Sequence, residues 1–168
     1  MPPAIKLVEP EQNEFLASLE ARAKTANPFF RAMANRPDVL KNFVPLYGAI
    51  MGPGSVERRI KELVYLTCSF ANECAYCTHA HLAGAKKAGV TEEELQALKT
   101  EQDQFFSEAE RAVVLYAREL TQTADADESR ASLLQHFSSE QVTEMTLVAC
   151  MANFTNRFNN GLQIFPEE

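Results

Sequence analysis

Cys74, Cys77 and His81 fall at offsets of zero, three and seven, so on an α-helix their side chains share one face. Glu62 lies twelve residues before Cys74, on what reads as the preceding helix. Two thiols, an imidazole and a carboxylate within residues 62–81 can therefore meet at one place. Such a set suits redox chemistry or, failing that, a metal site.

The redox reading starts from the thiolate, which is the nucleophile in disulfide and peroxide chemistry. A free cysteine titrates near ~8.5 and is mostly protonated at neutral pH. Helix N-termini lower that value, and each unit is worth ~1.4 kcal/mol. The break at Asn72-Glu73 puts Cys74 at or just before a helix start and Cys77 in its first turn. His81, four residues after Cys77, is placed to take the thiol proton and return one to a leaving oxygen. Glu62 would orient the imidazole and raise its basicity. The expected cycle is attack on peroxide by Cys77, a sulfenic acid there, and attack by Cys74 to release water. A dithiol donor then reduces the disulfide.

The competing reading is Zn²⁺ held by Cys74, Cys77 and His81, with Glu62 or His79 as fourth ligand. Structural zinc sites usually pair two ligand knuckles, and only one is present here. A helical core of this length does not need a metal to fold. Other residues receive plainer readings. His79 points elsewhere on the helix. Glu73, an alternative acid to Glu62, reads as solvent-facing or capping. Tyr76 lines the site or packs. Cys68 and Cys150 sit in apolar surroundings, LVYLTCSF and MTLVACMANF, and read as small core residues. The asparagines Asn153, Asn156, Asn159 and Asn160 read as helix-end fraying or polar contacts between subunits.

The elements that must position these groups are helical. Apolar residues recur at three and four, not at two, which predicts seven or eight helical segments and no strand. Residues 1–9, with Pro2 and Pro3 and with Pro10 following, are expected to be irregular. Helices are expected over 10–23, 27–34 and from Pro37 to near Gly48, the last kinked or stopped by Pro45. The turn MGPG leads to Ser55, expected to cap a long helix to Asn72, apolar on more than one side. The next helix runs from Cys74 to Ala88 and stops at Gly89. Gly84 within it suggests close packing on a neighbour, at a cost of ~1 kcal/mol relative to alanine. Capping boxes at Thr91–Glu94 and Ser107–Glu110 open helices to about Leu98 and Thr121. A further helix ends near Phe137. Ser138 caps a last helix to about Gln163, apolar around much of its circumference, as suits a central helix or a subunit interface.

The 168 residues, 46% hydrophobic and 23% charged, predict one globular domain over 1–168. A net charge of −7 with scattered basic residues argues against nucleic acid as a partner. No apolar run approaches the roughly 18 residues that span a bilayer, and the start lacks a signal-peptide pattern, so a cytoplasmic location is expected. Four cysteines are too few and irregular for a secreted disulfide scaffold.

Glu62, Cys74-Ala75-Tyr76-Cys77 and His81 together resemble the E-x(11)-C-x-x-C-x-x-x-H signature of the alkylhydroperoxidase D (AhpD) family, within the carboxymuconolactone decarboxylase superfamily. The following HLAGAKKAGVTEEELQAL is similar to that family's continuation, and the resemblance spans roughly residues 35–120. It implies an all-α AhpD-like bundle with the CxxC at the N-terminus of a central helix. It also implies homo-oligomers, commonly trimers or hexamers, and peroxide reduction at a thiol pair with no bound cofactor. Cys77 would then be the peroxidatic thiol, Cys74 the resolving one, and His81 with Glu62 the proton relay. Tyr76 stands where the best-studied branch has a histidine; the reductant of that branch is lipoyl-linked. The decarboxylase branch lacks this cysteine pair. The expected activity is thiol-dependent reduction of alkyl hydroperoxides in antioxidant defence, with electrons from a lipoyl-linked or thioredoxin-like dithiol. The alternatives are a redox sensor or exchange protein with low turnover, and a zinc-binding helical oligomer.

Overall fold

A computed structural model describes residues 2–166, and among them every regular element is helical. Nine α-helices form, one or two more than the pattern predicts: α1 Glu14–Ala23, α2 Pro28–Met33, α3 Pro37–Met51, α4 Arg58–Ala71, α5 Ala75–Lys87, α6 Glu92–Thr100, α7 Glu108–Thr123, α8 Asp127–His136 and α9 Ser139–Leu162. Of the segment expected to be irregular, residues 2–9 carry no helix, and Met1 lies outside the described residues.

Local chemistry explains most of the boundaries. Asn13 and Asn27 cap α1 and α2 by accepting from the amides of Leu16 and Phe30. The capping boxes of Thr91 with Glu94, Ser107 with Glu110 and Ser138 with Gln141 all form, each satisfying amides a helix start would leave unpaired. Two expectations fail for tertiary reasons. α3 continues through Pro45 to Met51; Pro45 and Lys41 are exposed, so the carbonyl that loses its amide partner can face water. Ser55 does not cap α4, which begins at Arg58 after Glu57. Instead its amide and hydroxyl donate to the Glu144 carboxylate on α9, at 2.8 and 2.6 Å.

α4 is the helix at the centre, packed on α5, α6, α7 and α9. Every residue from Ile60 to Ser69 is buried, including Lys61 and Glu62. The Lys61 ammonium donates to the carbonyls of Ile50 and Gly52, at 2.9 and 2.6 Å, and pairs with Glu144. It thus closes the end of α3 and the 52–57 loop onto α9, and a buried charge placed this way keeps its partners. α5 packs on α4 and α9. The turn between α4 and α5 is tight: the Cys74 amide donates to Ser69 O at 2.9 Å, and Glu73 takes φ 51°, a left-handed conformation unusual for a side chain of its type.

The buried apolar side chains form one continuous cluster. Outside it, Val39 and Leu46 on α3 and Leu147 and Phe154 on α9 are exposed. Val39, Leu46 and Phe154 share a groove with Phe43 and Met151.

Candidate active site

Cys74 is the N-cap of α5, and its sulfur accepts from the Cys77 amide at 3.3 Å. Cys77 is therefore in the first turn, where unpaired amides give a partial positive charge, as its spacing predicts. Both thiols are free and buried. The Cys77 sulfur also receives the Asn159 side-chain amide from α9 at 3.2 Å. The thiol of Cys74 donating to Cys77 is the largest influence lowering the Cys77 ionisation, to about 7 from an ordinary 9.0; burial opposes it, and Asn156, Asn159 and Thr155 add to it. Cys74 shifts the other way and stays protonated, because its proton is held on Cys77 and its site is desolvated. The first proton leaves the pair at Cys77.

Glu62 and His81 meet as the spacing suggests. His81 Nδ1 lies 2.8 Å from Glu62 Oε2. Gly84, one turn further along α5, makes room: a Cβ there would sit 2.8 Å from Glu62 Oε1, which is the close packing its glycine implies. Burial by itself would raise the Glu62 carboxyl, but the hydrogen bonds and charges of His81 and Arg58 outweigh it and hold it below the usual range. A carboxylate only accepts, so Nδ1 donates to Glu62 and Nε2 is the nitrogen left for other partners. Tyr65 stacks on the ring, with centroids 3.6 Å apart. Nε2 faces the Tyr47 hydroxyl at 3.2 Å, so both ring nitrogens have partners and neither partner is a sulfur. In place of the direct contact of His81 with Cys77 expected from the helical offset, Nε2 meets the Tyr47 hydroxyl, and all three residues line the same open space. Burial raises the Tyr47 phenol to about 12, so it is a neutral hydroxyl at neutral pH.

Cys77, His81 and Tyr47 open onto one cavity of about 150 Å³, walled also by Phe29, Phe30, Tyr65 and Tyr76. Tyr76 thus lines the site, and its hydroxyl donates to Asn27. Thr155 and Asn159 complete the polar end. Asn159 Oδ1 is buried without a hydrogen-bond partner among the described residues, an exception to the usual pairing of buried polar atoms.

The remaining candidates sort by position. His79 and Glu73 are exposed and absent from this cavity. Cys68 is buried, and burial pushes its thiol up to about 12. Cys150, expected in the core, is exposed; α9 is apolar on more than its buried face, so surrounding sequence misplaces it. The asparagines are not frayed. Asn156 and Asn159 are buried, Asn156 Nδ2 donates to Ser69 Oγ at 3.1 Å, and Asn72 Nδ2 donates to both Asn153 and Asn156. They pin the α4–α5 turn and the Cys77 sulfur to α9. Among the described residues no three His, Cys, Asp or Glu side chains converge as a metal-binding group.

Residues 37–119 match the model of the carboxymuconolactone decarboxylase family. Three solved structures share the fold. A putative antioxidant defence protein AhpD from Agrobacterium tumefaciens is 25% identical, with a TM-score of 0.73 over 81% of this chain and 96% of its own. An uncharacterized peroxidase-related protein from Ralstonia eutropha JMP134 is 18% identical, with a TM-score of 0.86 over 100% and 94%. The debrominase Bmp8, solved with 2,3,4-tribromopyrrole, is 21% identical, with a TM-score of 0.78 over 97% and 91%. The chain belongs to the AhpD-like proteins of the carboxymuconolactone decarboxylase superfamily.

Proposed function

We propose that this protein is a thiol-dependent peroxidase that reduces organic hydroperoxides through a Cys74–Cys77 dithiol/disulfide cycle, in keeping with an antioxidant-related family. The carrying observation is a single one: the cysteine with the lowered ionisation, Cys77, lies on an aromatic-walled cavity with its partner thiol at hydrogen-bond distance.

The Cys77 thiolate attacks the outer peroxide oxygen, the O–O bond breaks, and the alkoxide leaves as Cys77 becomes a sulfenic acid. His81 Nε2, having taken the Cys77 proton through the Tyr47 hydroxyl, returns it by the same route to the alkoxide, and Glu62 holds the imidazole for that exchange. Cys74 then attacks the Cys77 sulfur and water departs. Its own proton, held toward Cys77 in the reduced state, leaves during this step. An external dithiol, lipoyl-linked or thioredoxin-like, restores the pair. No bound cofactor takes part in these steps.

The test is a thiol count on reduced protein before and after one equivalent of cumene hydroperoxide. Loss of two thiols per chain is expected, and Cys77→Ser should abolish peroxide consumption. Consumption that survives in Cys77→Ser would remove Cys77 from the role. A redox sensor would form the same disulfide once yet show no sustained turnover with excess dithiol, so steady-state peroxide loss separates the two.

The aromatic walls favour a second reading, dithiol-driven dehalogenation of a compact halogenated ring, Bmp8 being named a debrominase. A dry cavity of this volume holds a benzene-sized molecule. Bromide release from a bromopyrrole in the presence of dithiol, without peroxide turnover, would select it.

A further inference from the structure

The two cysteines line different openings. Cys77 borders the aromatic cavity. Cys74 borders a separate, larger cleft of about 540 Å³, walled by Phe70, Thr78 and Leu82 and rimmed by Glu73, His79 and Lys99. No residue lines both. We propose that the cleft at Cys74 is the port for the reductant, a slender dithiol whose thiolate attacks Cys74 Sγ and expels Cys77, so that oxidant and reductant reach the CxxC from different openings. The inference rests on the peroxidase reading for its account of how the disulfide arises.

Three features argue for it. Thiol–disulfide exchange runs in line, with the entering sulfur opposite the leaving one. Cys77 lines the cavity and Cys74 the cleft, so a thiol entering by the cleft meets Cys74 with Cys77 as the leaving sulfur. The sulfur that leaves best is the one that bears negative charge best. Asn159 donates to Cys77 at 3.2 Å, and Asn156 and Thr155 also stabilise its thiolate, whereas Cys74 has the Cys77 amide at 3.3 Å and a bond to Asn156. Attack from the cavity would have to expel the less favourable thiolate. Lastly, the cleft suits a charged nucleophile better than the cavity does: the exposed Lys99 and His79 stand at its rim, with Glu73 the opposing carboxylate, while the cavity walls are aromatic. Cys74 is only 1% exposed, so the thiol must arrive on a small molecule or a flexible arm, not on the flat face of a folded protein.

The balance closes. A sulfur–sulfur bond forms between the donor and Cys74, and the Cys74–Cys77 bond breaks with its electron pair on Cys77. The donor's second thiol then attacks its own sulfur in the mixed disulfide and releases Cys74, which takes up a proton. The donor loses two electrons and two hydrogens, and the cysteine pair gains them.

Oxidised wild-type protein, prepared with one equivalent of cumene hydroperoxide, is mixed with glutathione, quenched in acid, alkylated and mapped by mass spectrometry. The expected adduct is glutathione on Cys74 with Cys77 alkylated as a free thiol; glutathione on Cys77, or equally on both, overturns the proposal. In Thr78→Trp, which fills the cleft, reduction of the disulfide by dithiothreitol should slow at least tenfold relative to oxidation of the same variant by peroxide; an unchanged ratio overturns it too. Should wild-type protein fail to react with peroxide, the proposed function falls, yet the disulfide can be made with diamide and the glutathione map still decides the port.

Discussion

At the scale of single residues, the reactivity of Cys77 depends on what surrounds its sulfur. Its ionisation is lowered to about 7, so reactivity toward iodoacetamide or peroxide should rise through neutrality and level off above it, because the thiolate is the reacting form. A profile that keeps rising to pH 9 would show an ordinary thiol. Asn159→Leu removes a donor to the thiolate and leaves the buried sulfur less solvated. The midpoint of that profile should move upward by about one unit, and the rate at pH 7 should fall several-fold, since charged hydrogen bonds contribute about 1.5–3 kcal/mol. Tyr47→Phe tests the relay differently. It leaves the thiolate in place, so the iodoacetamide profile should hold while the peroxide reaction, which needs a proton for the leaving oxygen, slows about tenfold to a hundredfold. Equal slowing of both reactions would instead make Tyr47 a packing residue.

At the scale of elements, the site is a junction of α4, α5 and α9, with α2 and α3 closing the cavity. Gly84 sets how near α5 lies to α4. In Gly84→Ala the new methyl meets Glu62 Oε1, the oxygen that Arg58 also holds, while Oε2 is the one bound to His81. The carboxylate should therefore give way from His81, and peroxide turnover should fall although alanine favours the helix by ~1 kcal/mol. Unchanged turnover with raised thermal stability would show that the contact relaxes freely. Lys61 ties the ends of α3 and α4 to α9 through Glu144. Lys61→Ala leaves a carboxylate without its cation and two carbonyls without a donor. It should cost about 3 kcal/mol in urea unfolding, in line with breaking a buried pair.

At the scale of the whole molecule, the exposed Val39, Leu46, Leu147 and Phe154 put apolar surface on α3 and α9 beside the cavity. A contiguous patch of this kind commonly marks an interface. The family resemblance implies homo-oligomers, and we propose that this face carries the contact. Phe154→Glu should then lower the mass seen by light scattering without unfolding the chain. A wild-type protein that is already monomeric would remove the proposal.

Much of this was readable without coordinates. The helical offset put Cys74 at the cap and Cys77 in the first turn, and the three capping boxes fall where Ser, Thr, Glu and Gln are spaced for them. These are local facts, because a helix converts sequence distance into spatial distance by a fixed rule. The pairing of Glu62 with His81 crosses two helices: the short break at Asn72-Glu73 permits it, and the packing of α5 on α4 decided it.

The rest was decided by contacts between distant segments. Asn159 reaches Cys77 across 82 positions, and Tyr47 reaches His81 across 34. No periodicity announces such neighbours, and asparagines late in a helix look like fraying until α9 is packed against α4 and α5. Ser55 has the composition of a cap but is taken by Glu144, 89 positions away, because a partly buried carboxylate offers its hydroxyl and amide a charged acceptor that a local turn would not. Residue types and spacing thus set which atoms react and which helix end carries them. Only the packing of α9 against that helix and the reach of Tyr47 from α3 decided which sulfur takes the added hydrogen bonds, which hydroxyl meets the imidazole, and that the two cysteines line different openings.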